Sequence, residues 1–215
     1  MKTRAMLVYS LLGCMSFLNA GSVRKDTPVA IPVCAGENIN PYIFGHAQME
    51  ASQMFRRAGV LLEWREEKLN WCRKSDRPTI HIAYSFQTAA DLEPGSLAYA
   101  MPYEGVHINV FYDRIPGSDN NSRAKALAHV LVHEITHILQ GVSRHSDSGI
   151  MKARWDKDDY TRMRWVPLAF TDFDVLLIQQ GIQSWVTGER FQNMGARSLT
   201  IVPLATGVIS SNKGL

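Results

Sequence analysis

Apolar residues between positions 28 and 181 recur with two spacings, one typical of strands and one typical of helices. Short or alternating apolar runs predict five strands, at Pro28–Val33, Val60–Trp64, Thr79–Phe86, Leu97–Pro102 and Val106–Tyr112. Apolar residues three and four apart predict three helices, namely Pro41–Ala58 with a stop at Gly59, one from a cap near Ser122 to Gly141, and one from Thr171 to Gly181. This order predicts an α+β fold built on a mixed five-stranded sheet.

Two stretches lack such a pattern. The charged segment Arg65–Arg77 predicts a solvated loop, and nothing in the pattern assigns residues from about 182 to the end. The composition of the 215-residue chain, 46% hydrophobic and 20% charged, is that of one soluble domain with a sizeable core. We therefore predict a single domain over residues 21–215, preceded by a short leader.

The first 20 residues have the features of a signal peptide. Lys2 and Arg4 precede an apolar run from Ala5 to Leu18, which is too short to span a bilayer core of about 30 Å, and Asn19–Gly21 provides a small-residue cleavage site. This predicts a secreted or periplasmic protein whose mature chain has no transmembrane helix. As an alternative, the run ending at Cys14 resembles a bacterial lipobox, in which Cys14 would carry a lipid anchor.

Removal of this leader changes the charge and the cysteine count. The leader contains Lys2 and Arg4 but no acidic residue, so the formal net charge falls from +3 to +1 and gives no electrostatic basis for nucleic-acid binding. Cys34 and Cys72 then remain as a pair in an oxidising compartment, which predicts a disulfide. The alternative is two unpaired buried thiols.

The run His133-Glu-Ile-Thr-His137 lies inside the second predicted helix and suggests a metal site. Two histidines four residues apart point in the same direction from a helix and can bind one zinc ion, while Glu134 between them can act as a general base. Burying three such side chains in an apolar helix without a function would be costly. The alternative is a chance pattern, or a hydrogen-bonded pair of core histidines.

A catalytic zinc ion takes three protein ligands and leaves one position for water, so a third ligand is needed. His145 is the best candidate, because Gly141 ends the helix and reverses the chain. His129 lies one turn before His133, and we interpret it as a packed or supporting side chain. Downstream carboxylates compete with His145 for the third position: Asp147, Asp156, Asp158, Asp159 and Asp172.

The segment His133–Met151, HEITHILQGVSRHSDSGIM, resembles the metzincin metallopeptidases and is most similar to their matrixin branch. The resemblance implies three histidine ligands to one zinc ion and a methionine turn at Met151 beneath the metal. The family glycine and third histidine are displaced here, because Gln140 and Ser143 occupy their usual positions. The span from His137 to Met151 is nevertheless fourteen residues, as in the matrixin pattern.

The resemblance also implies where a substrate would lie. In that family an edge strand pairs with an extended peptide, which would place Ser96, Leu97, Ala98 and Tyr99 along the cleft, although an ordinary strand is an equal alternative. Some metzincins have a tyrosine two residues after the turn methionine, where this chain has Ala153. Tyr160 and Arg154 are candidates for a polar contact to the reacting oxygen.

Together these features predict a secreted zinc-dependent endopeptidase that acts as a monomer on extended peptides or proteins. Hydrolysis would use one zinc ion to polarise the scissile carbonyl and Glu134 to accept a proton from water. Two alternatives remain open. One is a non-catalytic peptide-binding module with the same fold, and the other is a zinc amidase acting on the cell wall.

Overall fold

The computed structural model describes residues 28–36, 38–92, 94–100 and 106–187. The leader, Tyr103–Gly105 and the tail after Thr187 lie outside the described residues. The strands are β1 (Val29–Ala35), β2 (Val60–Glu66), β3 (Ile80–Ser85), β4 (Ala98–Ala100) and β5 (His107–Phe111). The helices are α1 (Pro41–Arg57), α2 (Asn70–Lys74), α3 (Asn120–Gln140), α4 (Lys157–Met163) and α5 (Asp172–Thr187).

The five strands form one sheet in the order β2-β1-β3-β5-β4. The first four strands are parallel, whereas β4 runs antiparallel to β5 and forms one edge of the sheet. The predicted α+β fold with a mixed five-stranded sheet is therefore confirmed. Arg114 fixes the chain that leads into β4, because its guanidinium donates to the carbonyl oxygens of Ala89, Leu92 and Ser96 over 2.7–3.1 Å.

Helices α1 and α3 form the core together with one face of the sheet. α1 begins at the predicted Pro41, where the side chain of Asn40 accepts hydrogen bonds from two backbone N–H groups of the first turn. α3 is buried over its last two thirds, from Leu127 to Gln140. A helix buried on all sides is fixed in position by its neighbours, so side chains that project from it are held firmly.

The start of α3 differs from the prediction, whereas its end agrees. Asp119, not Ser122, is the N-cap, because its carboxylate accepts a 2.8 Å hydrogen bond from the Ser122 N–H while the Ser122 hydroxyl accepts from the Asp119 N–H. Ser122 therefore serves as the second partner of a capping box. Gly141 ends the helix in the left-handed conformation with φ 69°, as predicted.

The charged stretch Arg65–Arg77 is not the continuous loop that we predicted. β2 extends to Glu66, and Asn70–Lys74 forms the short helix α2. A disulfide joins Cys72 of this helix to Cys34 of β1, with the two Cα atoms 6.0 Å apart, so the predicted pairing is present in the structure. The covalent bond holds this short polar helix against the sheet. The sequence pattern alone does not indicate a helix there.

The C-terminal helix also corrects a prediction. Gly181 does not end α5 but lies buried within it. The packing of α5 against α3 outweighs the local stop signal of the glycine. The predicted start holds, since the Thr171 hydroxyl accepts from the Asp174 N–H and the Asp174 carboxylate accepts from the Thr171 N–H. Among the described residues, no helix combines the length and the hydrophobicity needed to cross a membrane.

Candidate metal site and cleft

His133 and His137 face each other from one side of α3. Their Nε2 atoms are 3.1 Å apart, and each Nδ1 atom lies beside a backbone carbonyl oxygen, that of Ile150 at 2.9 Å from His133 and that of Val142 at 3.0 Å from His137. Because a carbonyl oxygen only accepts, each Nδ1 must carry the proton that it donates. Both Nε2 atoms are therefore left as electron-pair donors that point at the same location.

This pairing fits a metal ion. Two unprotonated nitrogens 3.1 Å apart repel each other unless a proton or a cation lies between them. Burial, with a smaller effect of the neighbouring His137, lowers the pKa of His133 to about 3, so a proton does not fill that role near neutral pH. Two ligands bound tetrahedrally at about 2.0–2.1 Å lie roughly 3.3 Å apart, which is close to the separation found here.

His145 completes a three-histidine group. Its ring lies 5.2 Å from that of His133 and 5.0 Å from that of His137 between centroids. One nitrogen from each of the three rings falls within 4.8 Å of the others. Burial lowers the pKa of His137 to about 4 and also lowers that of the more exposed His145, whose pKa the positive Arg144 lowers further. All three imidazoles are therefore neutral and available as metal ligands near pH 7.

Glu134 lies in the same cleft, one residue after the first histidine. Only 8% of this residue is exposed, and its carboxylate accepts a hydrogen bond from the backbone N–H of Ala100 in β4. Burial is the largest influence and raises the pKa of Glu134 to about 8, although the bond from Ala100 acts in the opposite direction. A carboxylate in such surroundings is a stronger base than one in water.

The turn at Ile150 and Met151 lies beneath the histidines. The Ile150 carbonyl holds His133, and the Met151 carbonyl accepts a 2.8 Å hydrogen bond from the Ser146 N–H, so the turn is tied to the loop that carries His145. Met151 is fully buried. A methionine turn at Met151 beneath a metal ion stays a prediction of the family resemblance.

Asp174 is a buried carboxylate that sequence reasoning did not assign to the site. Its Oδ1 atom accepts from the Ser146 hydroxyl at 2.6 Å and from the Arg144 guanidinium at 3.0 Å, which are the two neighbours of His145. Burial acts to raise the pKa of Asp174, but hydrogen bonds from Ser146, Thr171 and Arg144 outweigh it and hold the pKa below its ordinary value. The capping pattern at Thr171 identified Asp174 as part of a helix cap, but it did not indicate the bonds of Asp174 to Arg144 and Ser146.

A cleft of about 600 Å³ opens over the three histidines and Glu134. One wall is the β4 edge with the chain before it, and the other is the segment after Met151. The lining residues include all four predicted edge residues and both candidates for an oxygen contact: Ser96, Leu97, Ala98, Tyr99, Arg154 and Tyr160. Sequence reasoning missed Trp155, whose ring packs edge-on against His133 with a centroid distance of 5.7 Å.

The remaining histidine of α3 and the competing aspartates do not join the group. His129 is packed, because its Nδ1 donates to the Lys125 carbonyl at 2.7 Å and its Nε2 accepts from the Leu168 N–H at 3.0 Å. Asp156 and Asp159 both pair with Lys152. Within the described part of the chain, the groups of potential ligands are His133 with His137 and His145, and a second set whose Cys34 is already in the disulfide.

Comparison with known proteins gives similarity in structure alone. No family model and no curated protein matches the chain. The archaemetzincin of Methanopyrus kandleri is 13% identical with a TM-score of 0.50, over 75% of this chain and 99% of that one. The archaemetzincin of Archaeoglobus fulgidus complexed with malonate is 13% identical with a TM-score of 0.47, over 69% of this chain and 99% of that one. Myroilysin is 16% identical with a TM-score of 0.32, over 68% of this chain and 64% of that one.

The first of these similarities shows the fold. The sheet and helices described above share their arrangement with a protein of metzincin-like architecture. At this level of identity the similarity does not extend to a branch of the family, so the matrixin-like assignment stays a prediction.

Proposed function

We propose that this protein is a secreted zinc-dependent endopeptidase. The observation that carries the proposal is the pair of Nε2 atoms of His133 and His137, 3.1 Å apart and both oriented by backbone carbonyls, with His145 beside them and Glu134 in the same cleft. Three neutral imidazoles that leave one side open are the ligand set of a catalytic zinc ion. One ion per chain would be held.

The residues of the chain divide the chemistry between them. A zinc ion held by the three histidines would polarise the scissile carbonyl and acidify the attacking water. Glu134 would accept a proton from the attacking water and transfer it to the leaving amine. This role requires the ionised carboxylate, a form that the positive charge of a bound cation would favour. Tyr160 and Arg154, on the opposite wall, are within the cleft where either can contact the carbonyl oxygen.

An extended peptide would bind by adding a strand to β4. The Leu97 carbonyl accepts from the Phe111 N–H, so the backbone groups of Leu97 point to β5 and those of Ala98 point to the open edge. Ala100, two residues further on, points the same way, which agrees with its bond to Glu134. Within residues 96–99, the backbone groups of Ala98 thus face the open edge beside the proposed catalytic base. The Ala98 carbonyl also accepts a 2.6 Å hydrogen bond from the Ser96 hydroxyl, so a peptide N–H would use its second lone pair.

Other features support the cellular context. The Cys34–Cys72 disulfide indicates an extracytoplasmic protein, as the predicted leader over residues 1–20 does. Cleavage after Ala20 is the primary proposal, and lipid attachment at Cys14 is its alternative. The Met151 spacing supports a matrixin-like branch, and we expect a monomer.

Two other functions are alternatives to this proposal, and one differs in what it requires of Glu134 while the other differs in its substrate. A peptide-binding module needs the β4 edge but no base, and the buried carboxylate beside the histidines favours an enzyme. A zinc amidase of the cell wall would use the same catalytic residues on a different substrate. The two enzymes are distinguished by whether peptides or peptidoglycan fragments are hydrolysed.

The test uses the mature protein, its Glu134→Gln variant and an Asp76→Asn control at an exposed carboxylate outside the cleft. We expect about one zinc ion per chain in all three, and cleavage of a casein substrate that falls by ~10²–10⁴-fold in Glu134→Gln only. Metal analysis, thermal denaturation and cleavage are measured on the same preparations. Cleavage that survives in zinc-loaded Glu134→Gln contradicts the mechanism, and hydrolysis of peptidoglycan without casein favours the amidase.

A further inference from the structure

The two walls of the cleft differ in charge. The β4 wall contributes no charged side chain among residues 94–100, which are Pro94, Gly95, Ser96, Leu97, Ala98, Tyr99 and Ala100. The opposite wall contributes Lys152 and Arg154, both of them cationic. Apart from Glu134, no acidic side chain is found among the described residues that line the cleft. The cleft therefore has a positive side and a neutral side.

The two cations are not equivalent. The Lys152 ammonium is 2.6 Å from a carboxylate oxygen of Asp156 and 2.6 Å from one of Asp159, so two acids already neutralise it. Arg154 is exposed, and no ion pair or hydrogen bond joins its side chain to another residue in the described ranges. The unneutralised charge on this wall is the guanidinium of Arg154.

Arg154 is also held close to the reacting position. The residue after it, Trp155, packs edge-on against the His133 ring at 5.7 Å and against His129 at 6.1 Å. On the other side, Lys152 forms an isolated parallel bridge with Ser146, next to His145. The backbone around Arg154 is thus fixed to the metal site on both sides, while its long side chain stays free to reach a ligand.

We infer that Arg154 selects substrates with a carboxylate close to the scissile bond. This inference rests on the proposed function, because it assigns the preference of the same cleft. A guanidinium binds a carboxylate through two parallel N–H donors, a geometry that an amide or an ammonium cannot satisfy. The carboxylate can be the side chain of Asp or Glu, or the C-terminal carboxylate of a short peptide.

The experiment measures binding and cleavage separately. The substrates are fluorescent peptides that differ at one position. Glu, Gln or Lys is placed in turn at each of three residues on either side of the scissile bond, and each peptide is made with a free and with an amidated C-terminus. Binding is measured by anisotropy in zinc-loaded Glu134→Gln, and kcat/KM is measured in the protein with Glu134 intact. Both are repeated with Arg154→Glu and Arg154→Gln, and with Arg162→Glu, an exposed control outside the cleft with the same change of charge.

At one position we expect the Glu peptide to bind roughly threefold to tenfold more tightly than Gln and at least about tenfold more tightly than Lys. Arg154→Gln should abolish this preference and Arg154→Glu should invert it, whereas Arg162→Glu should leave it unchanged. If the amidated peptides bind more weakly than the free acids while Glu and Gln peptides bind equally, the C-terminal carboxylate is the ligand, and Arg154→Gln should then abolish the difference between the two C-termini.

Three results overturn the inference. They are affinities within twofold for all peptides, absence of peptide binding, and a preference that persists in folded Arg154→Gln. Failure of the proposed function is seen differently, as absence of cleavage by the intact protein. In that case the anisotropy series still decides whether Arg154 recognises a carboxylate.

Discussion

The Ser146 hydroxyl donates a 2.6 Å hydrogen bond to Oδ1 of Asp174, across 28 residues of chain. This bond connects the loop that carries His145 to the first turn of α5. The same carboxylate oxygen accepts from Arg144 on the other side of His145, so one buried group fixes both neighbours of the proposed third ligand. The position of His145 therefore depends on a helix that contributes no ligand itself.

Ser146→Ala should weaken both the fold and the site. It removes a hydrogen bond to a buried carboxylate, and we expect a loss of about 1.5–3 kcal/mol in the free energy of unfolding. We also expect zinc affinity about 10-fold lower, because the ligand loop loses a support. Urea denaturation and competition with a zinc chelator measure the two effects. Ser148→Ala, at an exposed serine of the same loop, is the control and should change neither.

His145→Ala should lose most of its zinc when purified, because a three-ligand site loses most of its affinity with one ligand missing. His107→Ala, at an exposed histidine on β5, should retain about one ion per chain. Metal content by mass spectrometry after dialysis measures both. Full occupancy of His145→Ala would remove that histidine from the ligand set and restore an aspartate as a candidate.

Gly149→Ala should destabilise the protein strongly. Gly149 has φ 74°, and an added Cβ atom would meet the Ala169 carbonyl oxygen in a severe clash. The strained conformation and the clash together should cost about 3 kcal/mol or more. The matched control is Gly45→Ala in α1, where an added Cβ meets nothing within 4 Å and should stabilise by about 0.5–1 kcal/mol. Thermal midpoints that move in the same direction in both variants would contradict the prediction.

The metal-free protein should lose stability as the pH falls from about 6.5 to 4, and His129 should contribute. Burial is the main cause that lowers the pKa of His129 from 6.5 to about 4, so the unfolded chain takes up a proton in this range and the folded chain does not. The free energy of unfolding therefore falls with falling pH, by up to about 1.4 kcal/mol per pH unit for this group.

His129→Gln tests this contribution through the pH dependence of the free energy of unfolding and not through its value at one pH. The variant is less stable at every pH, since it disturbs a packed position, but its free energy of unfolding should depend less steeply on pH between 6 and 4.5. Urea denaturation of chelator-treated protein at several pH values gives both slopes. Equal slopes in the two proteins would show that His129 does not titrate as the structure indicates.

The order of elements was predictable because each rests on local signals. The strands have apolar runs, α1 has Asn40 and Pro41 at its start, and α3 has Gly141 at its end. The prediction failed where tertiary contacts outweigh local ones. A disulfide fixes the short helix α2 within a charged stretch, and a glycine that would end an isolated helix lies buried inside α5.

In the site, too, the residues with a local signal were predictable and those held by long-range contacts were not. The two helical histidines and Glu134 follow from their spacing on one helix, and the hydrogen bonds of His129 agree with its interpretation as a packed residue. Asp174 and Trp155 were not assigned to the site, because their contacts with the His145 loop and with His133 join parts of the chain far apart in sequence. The short helix α4 did carry a local signal that was overlooked, a capping box between Asp156 and Asp159.

The left-handed glycines Gly141 and Gly149 mark the two ends of the loop that carries His145. Gly141 ends α3, and Gly149 lies against the Ala169 carbonyl. Each glycine is therefore held at its place in the chain. The two anchors set the length of this loop, and the bonds of Arg144 and Ser146 to Asp174 set the place of His145 within it. A pattern search that prescribes the interval from the second histidine to the third would pass over this chain. A search that prescribes only the anchors, and lets the histidine move between them, would retrieve it.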